Sequence, residues 1–165
     1  DIPAAMTAVT NGRVDCFSFL PRFRMKFVVA VPNFPLSTRM ARKVLPTEVP
    51  MKDAIFNIGR ASMLVAALTR GNERYLRLGL DDALHQPYRA ELIPGMYDVF
   101  KAARRAGAAG ATLSGAGPCL IAYVLERRHA EEAVGKAMLE AFRKHDVEAR
   151  ILTLDLDTHG AQILK

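Results

Sequence analysis

The octapeptide Ala111-Thr112-Leu113-Ser114-Gly115-Ala116-Gly117-Pro118 constrains this chain more than any other stretch. Two glycines flank one alanine, a serine precedes them, and a proline closes the turn before the apolar run Cys119 to Leu125. Glycine admits positive φ and close approach of backbone to a ligand, while proline sets the exit direction. With apolar residues on both sides, the octapeptide reads as a strand, a tight turn and a second strand. Such a turn can aim several backbone N–H groups at one point and cradle an anion or a carboxylate. By spacing alone, an ordinary tight hairpin turn accounts for it equally well.

The rest of the chain supplies elements to surround that hairpin. Met25 to Val31 is β-branched and aromatic, is stopped by Pro32 and Pro35, and predicts a buried strand. Ahead of it, Asn11-Gly12 signals a turn between two short apolar pieces. Residues 1–24 are therefore expected to finish a neighbouring domain or to form an edge hairpin leading into this one. Ser37-Thr38 caps a short helix from Arg39 to Leu45, which Pro46 ends. A long helix follows to about Thr69, ended by Gly71. Its apolar residues recur at threes and fours, and Phe56, Met63 and Leu64 extend them, so cover on most sides is expected. Asn57 lies in that apolar run and needs hydrogen-bond partners if buried.

Further helices are expected over Asn72 to Leu84, Met96 to Arg105 and Arg128 to Lys144, with last strands over Val147 to Leu154 and Ala161 to Leu164. Strands separated by helices in one mixed set predict an α+β fold, a four-stranded antiparallel sheet with helices packed on one face.

Composition bounds the function. At 165 residues, half of them apolar and 24% charged, the chain is long enough for one domain with a real core and is not a disordered acidic tract. No apolar run approaches the roughly 18 residues of a spanning helix, so no membrane partner is expected. Cys16 and Cys119 are far apart and in no CxxC pair, which favours reduced thiols in a cytoplasmic protein. The four histidines show no metal-ligand spacing. A net charge of +6 suits an anionic ligand such as a nucleotide and equally suits nonspecific nucleic-acid contact. With no Trp and few aromatics in the strands, a sheet that stacks RNA bases is not expected. The opening Asp1-Ile2-Pro3-Ala4-Ala5-Met6 has no initiator methionine and no signal-peptide core, and reads as the interior of a longer protein.

Leu113-Ser114-Gly115-Ala116-Gly117-Pro118 resembles the third signature of the GHMP small-molecule kinases. Two further segments are similar to the homoserine kinases within that family. One is Ser37-Thr38-Arg39-Met40-Ala41-Arg42-Lys43-Val44-Leu45-Pro46, a serine-threonine cap followed by Ala-Arg-x-x-Leu-Pro. The other is Asp82-Ala83-Leu84-His85-Gln86-Pro87-Tyr88-Arg89, running into Leu92-Ile93-Pro94. The resemblance covers roughly residues 25–165 and implies a ferredoxin-like sandwich, the C-terminal domain of GHMP kinases.

The resemblance also implies an enzyme that moves the γ-phosphoryl of ATP to the side-chain hydroxyl of L-homoserine, with Mg²⁺, in threonine biosynthesis. Arg42 and Arg89 would bind the substrate carboxylate, a task suited to the planar guanidinium fork and its paired hydrogen bonds. Ser114, Gly115, Ala116 and Gly117 would support the substrate and active-site loops through backbone N–H groups. Without the resemblance, Arg42 reads as a solvated arginine on a helix face and His85 as a helix-end cap or surface group. No residue is assigned as catalytic.

The family's phosphate loop, Pro-x-x-x-Gly-Leu-Gly-Ser-Ser, does not occur here, nor does a Walker loop. ATP and metal ligands are therefore expected mostly outside this chain, which alone should neither turn over nor bind ATP tightly. Two positions depart from the pattern: Asn11-Gly12-Arg13 in place of a double glycine, and Cys119 in place of threonine or serine. Rival readings are another GHMP kinase, of the mevalonate or diphosphocytidyl-methylerythritol type, and a ferredoxin-like module that binds regulatory amino acids. Assembly as a homodimer is left open.

Overall fold

The structure, a computed structural model, describes residues 4–157. The strand expected over Ala161 to Leu164 lies outside the described residues. Strands β1 (Ala4–Thr10) and β2 (Arg13–Phe19) pair antiparallel with Thr10 opposite Arg13. Asn11 and Gly12 between them have φ of 51° and 75°, the left-handed pair that a two-residue hairpin turn requires. The hairpin forms a two-stranded sheet of its own, with Val9, Val14 and Phe17 exposed.

The second sheet holds β3 (Met25–Pro32), β4 (Gly110–Leu113), β5 (Leu120–Leu125) and β6 (Ala149–Asp155), in the order β4-β5-β3-β6 with every neighbour antiparallel. This is the ferredoxin-like order expected, and its two central strands, β3 and β5, are the most apolar. Helices α5 (Met96–Arg105) and α6 (Glu131–Arg143) cover one face. There Val28, Ala30, Leu120, Ala122 and Val124 meet Val99, Phe100, Met138 and Phe142 in the main core. Gly135 lets α6 approach, since a Cβ there would lie 3.1 Å from Ile151.

Alternate residues of the same strands build a smaller core. Met25 and Leu125, flanked by Phe27 and Tyr123, pack with Ala67 of α2 (Met51–Arg70) and Leu76 of α3 (Glu73–Gly79). The two helices cross so closely that a Cβ on Gly79 would sit 2.6 Å from the Leu64 backbone nitrogen. The α2 helix is nevertheless not covered on most sides: Met51, Ile55 and Ile58 are 74%, 62% and 68% exposed, because α3 and the sheet meet the other face. No helix among the described residues is long and apolar enough to cross a membrane.

One helix boundary departs well from expectation, for a local reason. The helix expected to run to Leu84 stops at Gly79, and the following loop folds around Asp82, whose carboxylate accepts from the backbone N–H groups of His85 (2.8 Å) and Gln86 (2.6 Å). Those bonds start the one-turn helix α4 (Gln86–Arg89), with Pro87 in its first turn. The Ser37 cap forms as expected, its hydroxyl accepting from the Met40 N–H at 3.1 Å at the start of α1 (Thr38–Lys43).

Candidate functional site

The glycine turn joins β4 to β5. Gly115 and Gly117 have φ of 59° and 92°, conformations that L side chains rarely adopt, so both glycines are required by the backbone. Within the turn, the Ser114 N–H donates to the Cys119 carbonyl and the Gly117 N–H to the Ser114 carbonyl. Among the described residues the N–H groups of Gly115 and Ala116 have no such bond, so the N–H array expected from the sequence narrows to these two. The Gly117–Pro118 peptide bond is cis.

Helix α4 grips this turn twice. Gln86 and Arg89, three apart and therefore on one side of a helical turn, reach Leu113 and Gly115. The buried Gln86 accepts the Leu113 N–H on Oε1 at 2.8 Å. Arg89 donates from one terminal nitrogen to the Gly115 carbonyl at 3.1 Å. Its Nε donates to the Ala41 carbonyl in α1 at 3.0 Å. A Cβ at Gly117 would touch Leu36, Ile93 and Leu113, so three distant sequence segments converge on this point.

Of the residues proposed for binding, Arg89, Gly115 and the neighbouring Ser114, Ala116 and Gly117 stand together. Arg42 follows Ala41 on the exposed last turn of α1. Among the described residues its guanidinium has no hydrogen bond or ion pair, whereas that of Arg89 already holds two carbonyl oxygens.

Behind Arg89 lies a polar network that residue spacing did not reveal. The Asn57 amide donates to Asp82 Oδ1 at 2.7 Å, and the Asn57 side-chain oxygen accepts from the Ala83 N–H at 2.8 Å. His85 Nδ1 stands 3.3 Å from a terminal nitrogen of Arg89, while its Nε2 faces Asp82 Oδ1 at 3.7 Å. Burial alone would raise the Asp82 carboxyl, but the hydrogen bonds from Asn57, Gln86 and His85 hold it below its ordinary value. Burial pushes the His85 imidazole below its ordinary value, with the Asp82 carboxylate opposing and the Arg89 cation assisting. Asn57, Arg60, Asp82, His85 and Gln86 line a cavity of about 250 Å³ beneath the turn. Arg60 has a buried Nε without a partner among the described residues and stacks 4.3 Å over the Phe56 ring. The sequence signal for this network was faint: Asn57 inside an apolar helix, and Asp82 just ahead of a His-Gln-Pro helix start.

The chain is similar to several known proteins. A family model described as GHMP kinases C terminal matches residues 63–144. Homoserine kinase of Carboxydothermus hydrogenoformans is 44% identical over 142 residues, which are 86% of this chain and 45% of that protein. Homoserine kinase of Nostoc punctiforme is 50% identical over 135 residues, 82% of this chain and 44% of that protein. Among solved structures, homoserine kinase from Cytophaga hutchinsonii superposes with a TM-score of 0.83 at 27% identity, covering 89% of this chain and 46% of that one. Mevalonate kinase of L. major, in complex with R-mevalonate, shares the fold with a TM-score of 0.61 at 15% identity. The chain thus spans a little under half the length of the curated relatives it matches.

Proposed function

The chain belongs to the homoserine kinase branch of the GHMP kinases, and on that premise we propose that it is the substrate-binding C-terminal part of a cytoplasmic enzyme. The reaction proposed is transfer of the γ-phosphoryl of ATP to the side-chain hydroxyl of L-homoserine. One observation carries the reading: the Arg89 guanidinium lies between the Ala41 and Gly115 carbonyl oxygens, locking the capped helix, the His-x-Pro-x-Arg turn and the glycine turn into one site.

In this reading Arg89 and Arg42 hold the homoserine carboxylate. Arg89 is already oriented by its carbonyl partners, and Arg42 swings in from the adjacent exposed turn. Pre-orientation lowers the entropy lost when substrate binds, which is what phosphoryl transfer asks of such residues. The N–H groups of Gly115 and Ala116 offer donors beside that clamp. Among the described residues no three His, Cys, Asp or Glu side chains cluster as a cation cage. In this reading the ligands for ATP and Mg²⁺ belong to the part of the enzyme that its relatives carry beyond the matched region. The β1–β2 hairpin, separate from the four-stranded sheet, is assigned to the neighbouring domain, and residues 25–165 to the C-terminal domain.

The test is ATP-dependent phosphorylation by the intact enzyme, offered L-homoserine and mevalonate in parallel. O-Phosphohomoserine is the expected product. Turnover of mevalonate with none of homoserine would reject the proposal.

A further inference from the structure

Arg89 has only carbonyl oxygens and one imidazole around it among the described residues, an unusual setting for a cation that must stay in one place. Among the described residues no carboxylate pairs with it; Asp82, the acidic group behind it, is bound instead to Asn57 and to two backbone N–H groups. Between the two stands His85, four residues ahead of Arg89. A guanidinium has no lone pair to offer, so the His85 nitrogen beside it must act as acceptor, and the ring proton must sit on Nε2, the nitrogen turned to Asp82.

We infer that His85 is a positioning residue for Arg89: its Nδ1 accepts from the guanidinium, and Asp82, pinned by Asn57, fixes the loop from which it does so. The inference rests on the reading of Arg89 as a substrate-carboxylate arginine and adds what sets its direction. Three acceptors, the Ala41 and Gly115 carbonyls and His85 Nδ1, define the plane of the guanidinium, whereas either carbonyl alone would allow it to rotate. Protonation of His85 removes the third acceptor and puts a second cation beside the first. The charged groups acting on this ring are Asp82 of the loop and Arg89 of α4; Asp81, Arg60 and Tyr123 line the same cavity, and the Asp82 charge also reaches the Tyr97 hydroxyl of α5. Burial favours the neutral ring, so the clasp is closed at neutral pH and opens only as pH falls through a folded value held below the ordinary histidine value.

Two measurements on the intact enzyme test this. The first needs no substrate: nitrogen NMR of His85 should show the Nε2–H tautomer at pH 7.5 and a changed Nδ1 signal in Arg89→Lys. A proton on Nδ1, or a signal indifferent to Arg89→Lys, overturns the inference whatever the enzyme phosphorylates. The second is kinetic. His85→Leu should raise the KM for homoserine about tenfold, the loss of one hydrogen bond to a charged group, with the KM for ATP unchanged. His85→Asn, whose side-chain oxygen stands where Nδ1 does, should restore most of the affinity and abolish the rise of homoserine KM toward pH 5.5. Equal loss in His85→Leu and His85→Asn, or a parallel rise in the KM for ATP, would reduce His85 to a packing role. If wild type turns over mevalonate and not homoserine, the functional reading fails while the tautomer measurement still decides this one.

Discussion

Arg89 reaches the Ala41 carbonyl oxygen at 3.0 Å across 48 positions of sequence, and the same guanidinium holds the Gly115 carbonyl at 3.1 Å. One side chain therefore ties α1 and the glycine turn to α4, the element it grows from. In intact enzyme, Arg89→Ala should lower kcat/KM for homoserine by roughly 2 to 5 kcal/mol of transition-state stabilisation, the range for losing one partner of a buried charged pair. Arg89→Lys should rescue little, because an ammonium cannot meet both carbonyls and a carboxylate with one planar fork. Steady-state kinetics with homoserine varied and ATP saturating reads both; wild-type kcat/KM in Arg89→Ala would remove the residue from the site.

Gln86 is the buried partner of the Leu113 N–H, the last backbone donor before the turn. Gln86→Leu fits the space but leaves that N–H orphaned, at a cost of about 1 to 3 kcal/mol. A fall in the thermal midpoint is expected, together with faster amide exchange at Leu113 and at Ser114, whose N–H closes the turn on the Cys119 carbonyl. Unchanged exchange there would mean that the hydrogen bond does not hold the turn.

Asp82 is 8% exposed at its side chain and accepts from Asn57, His85 and Gln86. Its carboxyl is held below the ordinary 3.8, so its contribution to stability is complete above that pH and is lost as pH falls through the lower folded value. Asp82→Asn turns an amide N–H toward donors it cannot satisfy. The substitution should destabilise by about 1 to 3 kcal/mol at pH 7 and flatten the acid end of the stability profile below pH 3.8. Denaturant titrations at pH 3, 4 and 7 discriminate; an acid profile identical to wild type would contradict the assignment.

Two glycines in neighbouring helices should respond in opposite directions. A Cβ at Gly79 would meet the Leu64 backbone at 2.6 Å, whereas at Gly59 nothing lies within 4 Å. Gly79→Ala should cost about 1 to 3 kcal/mol by forcing α2 and α3 apart. Gly59→Ala, in an exposed helix interior, should stabilise by about 0.5 to 1 kcal/mol. Paired thermal melts check this, and destabilisation by Gly59→Ala would show that its face is covered in the intact enzyme.

What the chain alone determined is what short-range chemistry governs. The β-branched run at Met25 to Val31 forms the central strand β3, Asn11-Gly12 makes the hairpin turn, Ser37 caps α1, and Gly71, with φ of 72°, ends α2. Each depends on a residue and its immediate neighbours, through steric limits on φ or a side-chain oxygen within reach of a free N–H. The glycine turn and the family resemblance were legible for the same reason, being contiguous. Tertiary structure decided which of these pieces meet. Periodicity along α2 marked Ile55 and Ile58 as apolar but could not say that α3 and the sheet would take the opposite face. The pairing of Asn57 with Asp82, of Gln86 with Leu113 and of Arg89 with Ala41 joins residues 25 to 48 positions apart. Such bonds depend on the closure of the sheet and the crossing of α2 with α3, and no local rule specifies which donor a distant acceptor will find once water is excluded.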